Sequence, residues 1–225
     1  EILQLEKVHQ ALSIIQFKLE TQLIKRRPEF QMEDQVKLDN IDYLKECVTI
    51  DGKKYNLTNT CFQTIDPANP AELSLEESQA VDSLLASFQG SPKLAEHIEL
   101  LMKKGSMYKI YNQHLLFHGC IPLEASGELK PLIINQSCYA GRELLDFFEY
   151  HIRQAAKNKE IGDDFSTDLI WYCWRGAVSP LFGKDKMTTL ERYFVEDKDT
   201  HKEVENSYFS YRTSEKVCQL ILEEF

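Results

Sequence analysis

Between Ile2 and Arg27 the apolar residues Leu5, Val8, Leu12, Ile15 and Leu19 recur every three or four positions, which places them on one stripe of a long helix. Pro28 ends it, because proline has no N–H to donate and its ring blocks the preceding turn. The signals that follow are shorter. Cys47-Val-Thr-Ile50 and Lys53-Lys-Tyr-Asn56 flank Asp51-Gly52, a pair that accepts the positive φ values of a type I′ turn, so they read as a β-hairpin. A loop with Pro67 and Pro70 leads to Ser74-Leu-Glu-Glu77, the spacing of a capping box, which opens a helix through about Phe88. Ser91-Pro92 starts another helix, with proline at its first position, and Gly105 closes it.

The second half mixes the two periods. Residues 107–111 and 115–117 are short β-rich runs separated by Asn112-Gln-His114, a second hairpin whose outgoing strand ends at His118. Residues 132–134 form a further strand, and helices are expected at about 142–157, 165–174 and 213–225. Residues 175–212, rich in Gly, Pro, Lys and Asp, show no sustained period and read as a long loop of the functional kind. The fold class is therefore α+β, with no internal repeat.

Composition narrows the partners. With 26 basic against 36 acidic residues the net charge is −10, which argues against nucleic acid and anionic membranes as partners while leaving room for a small basic pocket. No apolar run approaches the ~20 residues of a membrane helix, and no signal pattern opens the chain. Cys47, Cys61, Cys120, Cys138, Cys173 and Cys218 form no Cys-x-x-Cys pair and no zinc-finger spacing, so they read as reduced thiols of a cytoplasmic protein. The chain begins Glu1-Ile2 and ends at Phe225 within a helical pattern, and reads as a piece of a longer protein.

Chemistry concentrates in two places. In Leu115-Leu-Phe-His118-Gly119-Cys120-Ile-Pro122 an imidazole stands where an apolar strand stops and a glycine lets the backbone turn away. That arrangement can present a metal ligand or base; a histidine satisfied by a backbone carbonyl is the competing reading. Arg175, Lys184, Lys186 and Arg192 form a basic set alongside Gly176 and Gly183, with Thr188 and Thr189 as hydroxyl donors. They suit an anionic ligand, or equally a solvated loop paired to Asp185, Glu191 and Asp197. Lys25-Arg26-Arg27 complements a helix C-terminus. Phe165, Trp171, Tyr172 and Trp174 read as core more readily than as a sugar-stacking face. Cys120 reads as a small packed residue, and His9, His97, His114, His151 and His201 as surface residues.

The run His118-Gly119-Cys120-Ile121-Pro122 resembles the His-Gly-Gly-hydrophobic-Ser-Pro element of calcineurin-like metallophosphatases, whose histidine binds one of two metal ions. The whole chain resembles part of the bacterial class III fructose-1,6-bisphosphatases. The blocks that carry this are Ile14-Ile-Gln-Phe-Lys-Leu-Glu20, Ile24-Lys-Arg-Arg-Pro-Glu-Phe-Gln-Met-Glu-Asp34, Lys104-Gly-Ser-Met-Tyr108, His118-Gly-Cys-Ile-Pro-Leu123, and Ser179-Pro-Leu-Phe-Gly-Lys-Asp-Lys-Met-Thr-Thr189 followed by Glu191-Arg-Tyr-Phe194.

The resemblance implies hydrolysis of fructose 1,6-bisphosphate to fructose 6-phosphate in gluconeogenesis, with Mn²⁺ activating water, His118 as a metal ligand, and Arg175, Lys184, Lys186 and Arg192 holding substrate. It implies residues 1–105 as a mainly helical insertion with the hairpin near 47–56. Residues 106–225 would be part of a metallophosphatase sandwich, incomplete in this chain, with a substrate-side loop at 175–212. The Asp-x-His, Gly-Asp-x-x-Asp-Arg and Gly-Asn-His-Asp/Glu elements that such enzymes carry upstream of this histidine are absent there, as is a Gly-His element downstream; Gly162-Asp163 is followed by Asp164-Phe-Ser166. One histidine cannot hold two ions ~4 Å apart, so the isolated chain is expected to be inactive. The alternatives are a non-catalytic scaffolding module within a larger enzyme, with homo-oligomers as one possible setting, and a related phosphatase with another phosphoester substrate.

Overall fold

A computed structural model gives the architecture. The structure describes residues 2–60, 62–158 and 164–225, with the backbone alone at 2–4; Cys61 and the Gly162-Asp163 pair lie outside the described residues. The chain runs α1 (Ile2–Arg26), three 3₁₀ turns between Pro28 and Asn40, β1 (Ile41–Asp42), β2 (Cys47–Ile50), β3 (Lys53–Asn56), α2 (Leu75–Gln89) and α3 (Pro92–Lys104). It continues through β4 (Tyr108–Tyr111), β5 (His114–Phe117), β6 (Leu132–Ile134), β7 (Ser137–Tyr139), α4 (Gly141–Lys157) and α5 (Phe165–Arg175). The last elements are α6 (Thr189–Phe194), a 3₁₀ turn at Lys198–His201, α7 (Tyr208–Tyr211) and α8 (Glu215–Glu224). The α+β class holds. The described strands form three separate antiparallel sheets, β1-β2-β3, β4-β5 and β6-β7. No described helix is long and apolar enough to cross a membrane.

Two compact units share the chain: Glu1–Pro92 with Thr188–Lys202, and Lys93–Met187 with Glu203–Phe225. The first is built on a core of Ile14, Phe17, Leu38, Ile41, Val48, Ile50, Leu57, Ile65, Leu190, Phe194 and Val195. The helix read from the apolar spacing exists, but it buries another face. Leu5, Val8, Leu12 and Leu19 are exposed, whereas Ile14, Phe17, Thr21 and Ile24 are buried. Apolar residues lie on both sides of α1, so the period identifies a helix without choosing its inner side. Asp51 and Gly52 take φ values of 50° and 76°, the positive pair that a type I′ turn requires. Ser74 caps α2 as its spacing predicts: its hydroxyl accepts from the Glu77 amide while the Glu77 carboxylate accepts from the Ser74 amide.

Residues 188–202 return to this unit although they sit in the stretch read as a loop. Leu190 and Phe194 of α6 enter its core, the Thr58 amide donates to the Phe194 carbonyl at 2.8 Å, and Leu57 bridges Val195. Six residues are too few for a helical period to register in the sequence, while apolar burial fixes them firmly.

In the second unit α4 and α5 pack along each other, and Leu144, Leu145 and Phe148 of the one and Leu169 and Tyr172 of the other are buried. The rings of Phe148 and Tyr172 stack at 6.2 Å. Arg153 of α4 ties the end of α3 down by donating to the carbonyls of Met102 and Gly105 while pairing with Glu149. The β4–β5 turn has positive φ at Asn112 and Gln113, and the β6–β7 turn repeats this at Asn135 and Gln136.

Candidate functional site

In β5, Phe117 pairs with Tyr108, and the strand stops there, so His118 is the first residue beyond the ladder. Gly119 then takes φ +83°, a conformation that L side chains rarely adopt. It is also a point of close approach: a Cβ here would stand 2.1 Å from the Pro180 carbonyl oxygen, which accepts from the Cys120 amide at 2.8 Å. The glycine therefore brings the turn after β5 against the segment 179–183. His118 is exposed, and Cys120 is fully buried. Burial pushes the Cys120 thiol up to about 12, which suits packing and leaves it inert as a nucleophile.

The segment facing that turn is firmly wired. The Ser179 hydroxyl donates to the Cys173 carbonyl and accepts from the amides of Leu181 and Phe182, closing the end of α5. Gly183 has φ +65° and lies against Phe209 and the Cys120 sulfur. Its carbonyl accepts from the Asn206 amide, and Asn206 Oδ1 in turn accepts from the amides of Leu123 and Tyr208. Asp185 Oδ1 accepts from the Val204 and Lys186 amides. This part of the stretch read as a long functional loop is thus held by backbone and Asx hydrogen bonds.

Among the predicted basic residues, Arg175, Lys184 and Lys186 lie in the second unit and Arg192 in the first. Arg175 is only 4% exposed at the end of α5, with its guanidinium over the Trp171 ring at 5.6 Å. Lys184 pairs with Glu203 at 2.7 Å and Lys186 is half-buried. Arg192 is exposed; its Nε donates to Thr188 Oγ1 and its Nη2 to the His201 carbonyl, both at 3.1 Å. Thr188 is buried and Thr189 half-buried. Of the basic group at the end of α1, Lys25 pairs with Asp39 at 2.7 Å.

Several expectations change. Glu191, read as a solvated partner, is fully buried, 3.4 Å from Lys37 Nζ, because α6 turns it inward. Tyr172 is core as expected, and Trp174 is half exposed. His151 and His201 are half-buried and hydrogen-bonded rather than freely solvated. His151 Nδ1 lies 2.8 Å from the Ser166 hydroxyl among the rings of Phe147, Tyr150 and Phe165. Burial lowers its pKa, and the nearby Asp164 charge opposes that only in part. His201 Nε2 lies 2.8 Å from the Val195 carbonyl.

Sequence reasoning missed Asn206 and the buried Lys18–Glu77 pair. The only local signal for either was the capping box, which marked Glu77 as a cap and gave no hint of its cation. For a metal ion the donor set is what counts. Among the described residues no three His, Cys, Asp or Glu side chains converge, so His118 is one donor without companions and the described residues do not by themselves build a two-ion site.

Over residues 1–225 the chain matches the family described as Firmicute fructose-1,6-bisphosphatase. It is 85% identical over all 225 residues to the fructose-1,6-bisphosphatase class 3 of Streptococcus gordonii, covering 35% of that protein. It is 52% identical over 222 residues, 99% of this chain, to the protein of the same name from Oceanobacillus iheyensis, covering 34% of it. Against that of Bacillus velezensis it is 51% identical over 225 residues, covering 35% of the relative. The chain thus spans about a third of the length of the curated relatives it matches. No solved structure matches it significantly.

Proposed function

We propose, because this chain belongs to the Firmicute fructose-1,6-bisphosphatase family, that it serves in an enzyme that hydrolyses fructose 1,6-bisphosphate at C1 to fructose 6-phosphate and inorganic phosphate. The oxygen of water forms the new bond to phosphorus, the bond from phosphorus to the sugar's C1 oxygen breaks, and that oxygen takes up a proton. In-line displacement at phosphorus depends on positioning and charge neutralisation far more than on covalent help from the protein. The observation that carries this reading is the match along the whole chain, together with the place it gives His118, at a strand end held against Pro180 by Gly119.

The contribution of this chain is then limited and specific. His118 offers a single imidazole donor to the Mn²⁺ centre that the resemblance implies, and the other ligands of such a centre lie beyond what the described residues bring together. Lys184 and Lys186, just past Gly183, are the cations closest in sequence to the contact with the His118 turn and suit the second phosphate of a bisphosphate. Lys184 would exchange its Glu203 partner for that phosphate. Arg175, buried against Trp171, acts on the shape of the Gly176–Gly183 segment; Arg192, in the other unit, is not assigned to that phosphate. A cytoplasmic location belongs to the same reading.

The test uses the protein at the full length of its relatives, supplied with Mn²⁺ and fructose 1,6-bisphosphate, with released phosphate as the readout. Wild type is expected to turn over and His118→Ala to lose about 100-fold or more in kcat with unchanged circular dichroism, since even an outer partner of a metal ligand is worth 10–100-fold. The isolated 225-residue chain is expected to be inactive. Turnover of a phosphoprotein or a dinucleoside polyphosphate in place of the sugar would overturn the substrate assignment. Full activity in the isolated chain would overturn the view that further ligands are needed.

A further inference from the structure

A cavity of about 380 Å³ opens beside the β4–β5 hairpin within the second unit. Leu115 and Phe117 of β5 and Val217 and Ile221 of α8 make it apolar, and Tyr208 and Tyr211 of α7 give it an aromatic side. Its polar rim carries His114 from the hairpin tip together with Arg212 and Cys218. None of the described Asp and Glu residues lines it, although the net charge of the chain is −10. A guanidinium at the mouth of an apolar, aromatic cavity with no carboxylate to compete for it suits a planar ring that bears a negative charge. The ring is taken out of water, and the guanidinium receives the carboxylate on its paired N–H groups.

The walls are set before any ligand arrives. The Tyr211 hydroxyl donates to the Ala125 carbonyl at 2.8 Å, the Tyr208 amide donates to Asn206 Oδ1 at 3.0 Å, and the rings of Phe117 and Tyr208 meet edge to face at 6.0 Å. Gly127, at φ +86°, leaves the space into which Tyr211 and Val217 close. Among the described residues Arg212 has no ion pair or side-chain hydrogen bond, so its fork is not already spent on a neighbour. We infer that this cavity is a binding site for a small aromatic carboxylate, anchored by Arg212 and His114. The inference stands without the phosphatase reading, because its test involves no turnover.

The chain carries its own reporter and its own control. Cys218 lines the cavity and is exposed, while Cys138, on β7, is exposed elsewhere. In the full-length protein, 1-naphthoate is expected to slow alkylation of Cys218 by iodoacetamide several-fold and saturably, read by peptide mass spectrometry, and to leave Cys138 unchanged. The neutral 1-naphthalenemethanol is expected to need at least tenfold higher concentration. Arg212→Gln, at an exposed position, is expected to weaken the protection at least tenfold with unchanged circular dichroism, and Val217→Trp to abolish it by filling the space. Equal slowing at both cysteines, no slowing at Cys218, or undiminished protection in Arg212→Gln would each overturn the site. If Val217→Trp does not fold, the Arg212→Gln comparison decides alone.

Discussion

Lys18 Nζ lies 2.7 Å from Glu77 Oε2, with the lysine side chain entirely buried and the glutamate side chain 8% exposed. The same ammonium donates to the Thr64 carbonyl, Thr64 Oγ1 donates to Glu77 Oε1, and Glu77 still closes the capping box at Ser74. One carboxylate therefore joins α1, the proline-containing loop and the start of α2. Lys18→Met removes the cation and leaves Glu77 buried without it, at an expected cost of about 3–5 kcal/mol, and Lys18→Met with Glu77→Leu should cost less than Lys18→Met alone. Urea unfolding followed by circular dichroism checks both. A double variant weaker than the single would show that the loss is one of packing rather than of an uncompensated charge.

The same pair sets an acid limit. Burial acts to raise the Glu77 carboxyl, but the hydrogen bonds from Lys18, Thr64 and the Ser74 amide outweigh it and hold the group below its ordinary 4.5. The folded chain then binds fewer protons than the unfolded one across that window. Its contribution to stability is complete above pH 4.5 and is lost as the pH falls through the lower folded value. Protection of the α2 amides in hydrogen exchange should fall over this range, and Glu77→Gln should flatten the fall.

His151 makes a second, milder dependence nearer neutrality. Burial holds its pKa below the ordinary 6.5, so the folded state again binds fewer protons, and its contribution is complete above pH 6.5 and declines as the pH falls below that value. The imidazole, with Ser166 at the start of α5, joins α4 to α5. Protection of the α4 and α5 amides, taken relative to the intrinsic exchange rate at each pH, should fall between pH 7 and 5.5 in the wild type and much less in His151→Gln. Equal slopes would assign the effect to another group.

Two glycines in positive-φ turns should respond differently to alanine. At Gly52 a Cβ meets nothing within 4 Å, so Gly52→Ala bears only conformational strain, about 1 kcal/mol. At Gly119 it would also meet the Pro180 carbonyl at 2.1 Å, so Gly119→Ala must push the turn after β5 away from residues 179–183. The Gly119 variant is expected to lose more than Gly52→Ala in thermal stability and, at full length, to lose turnover because His118 moves with the turn.

How much of this was legible in the sequence depended on whether the cause was local. The Asp51-Gly52 turn, the capping box at Ser74 and the strand end at His118 each rest on a few adjacent residues, and the chain folds there as its signals indicate. The Asn135-Gln136 turn adopts the same positive-φ pair as Asn112-Gln113, but the strands it joins have three residues each, and Ser137-Cys-Tyr139 is too short to show a strand period, so β7 is not legible in the sequence. Burial of Glu191 beside Lys37 and the choice of inner face on α1 follow from contacts between distant stretches, which no local period contains. For the site, residue types and the strand-end position could be read; which cations share a unit could not, because the chain crosses between units twice more after Pro92.

That crossing also bears on how the chain comes into being. Leu190, Phe194 and Val195 complete a core otherwise drawn from residues between Ile14 and Ile65, and the amide of Thr58 is paired by the carbonyl of Phe194. Domains ordinarily finish folding in the order in which they leave the ribosome. Here the earlier-made of these two units must wait, its α1 and first sheet short of their last apolar layer, until residues 188–202 have been synthesised.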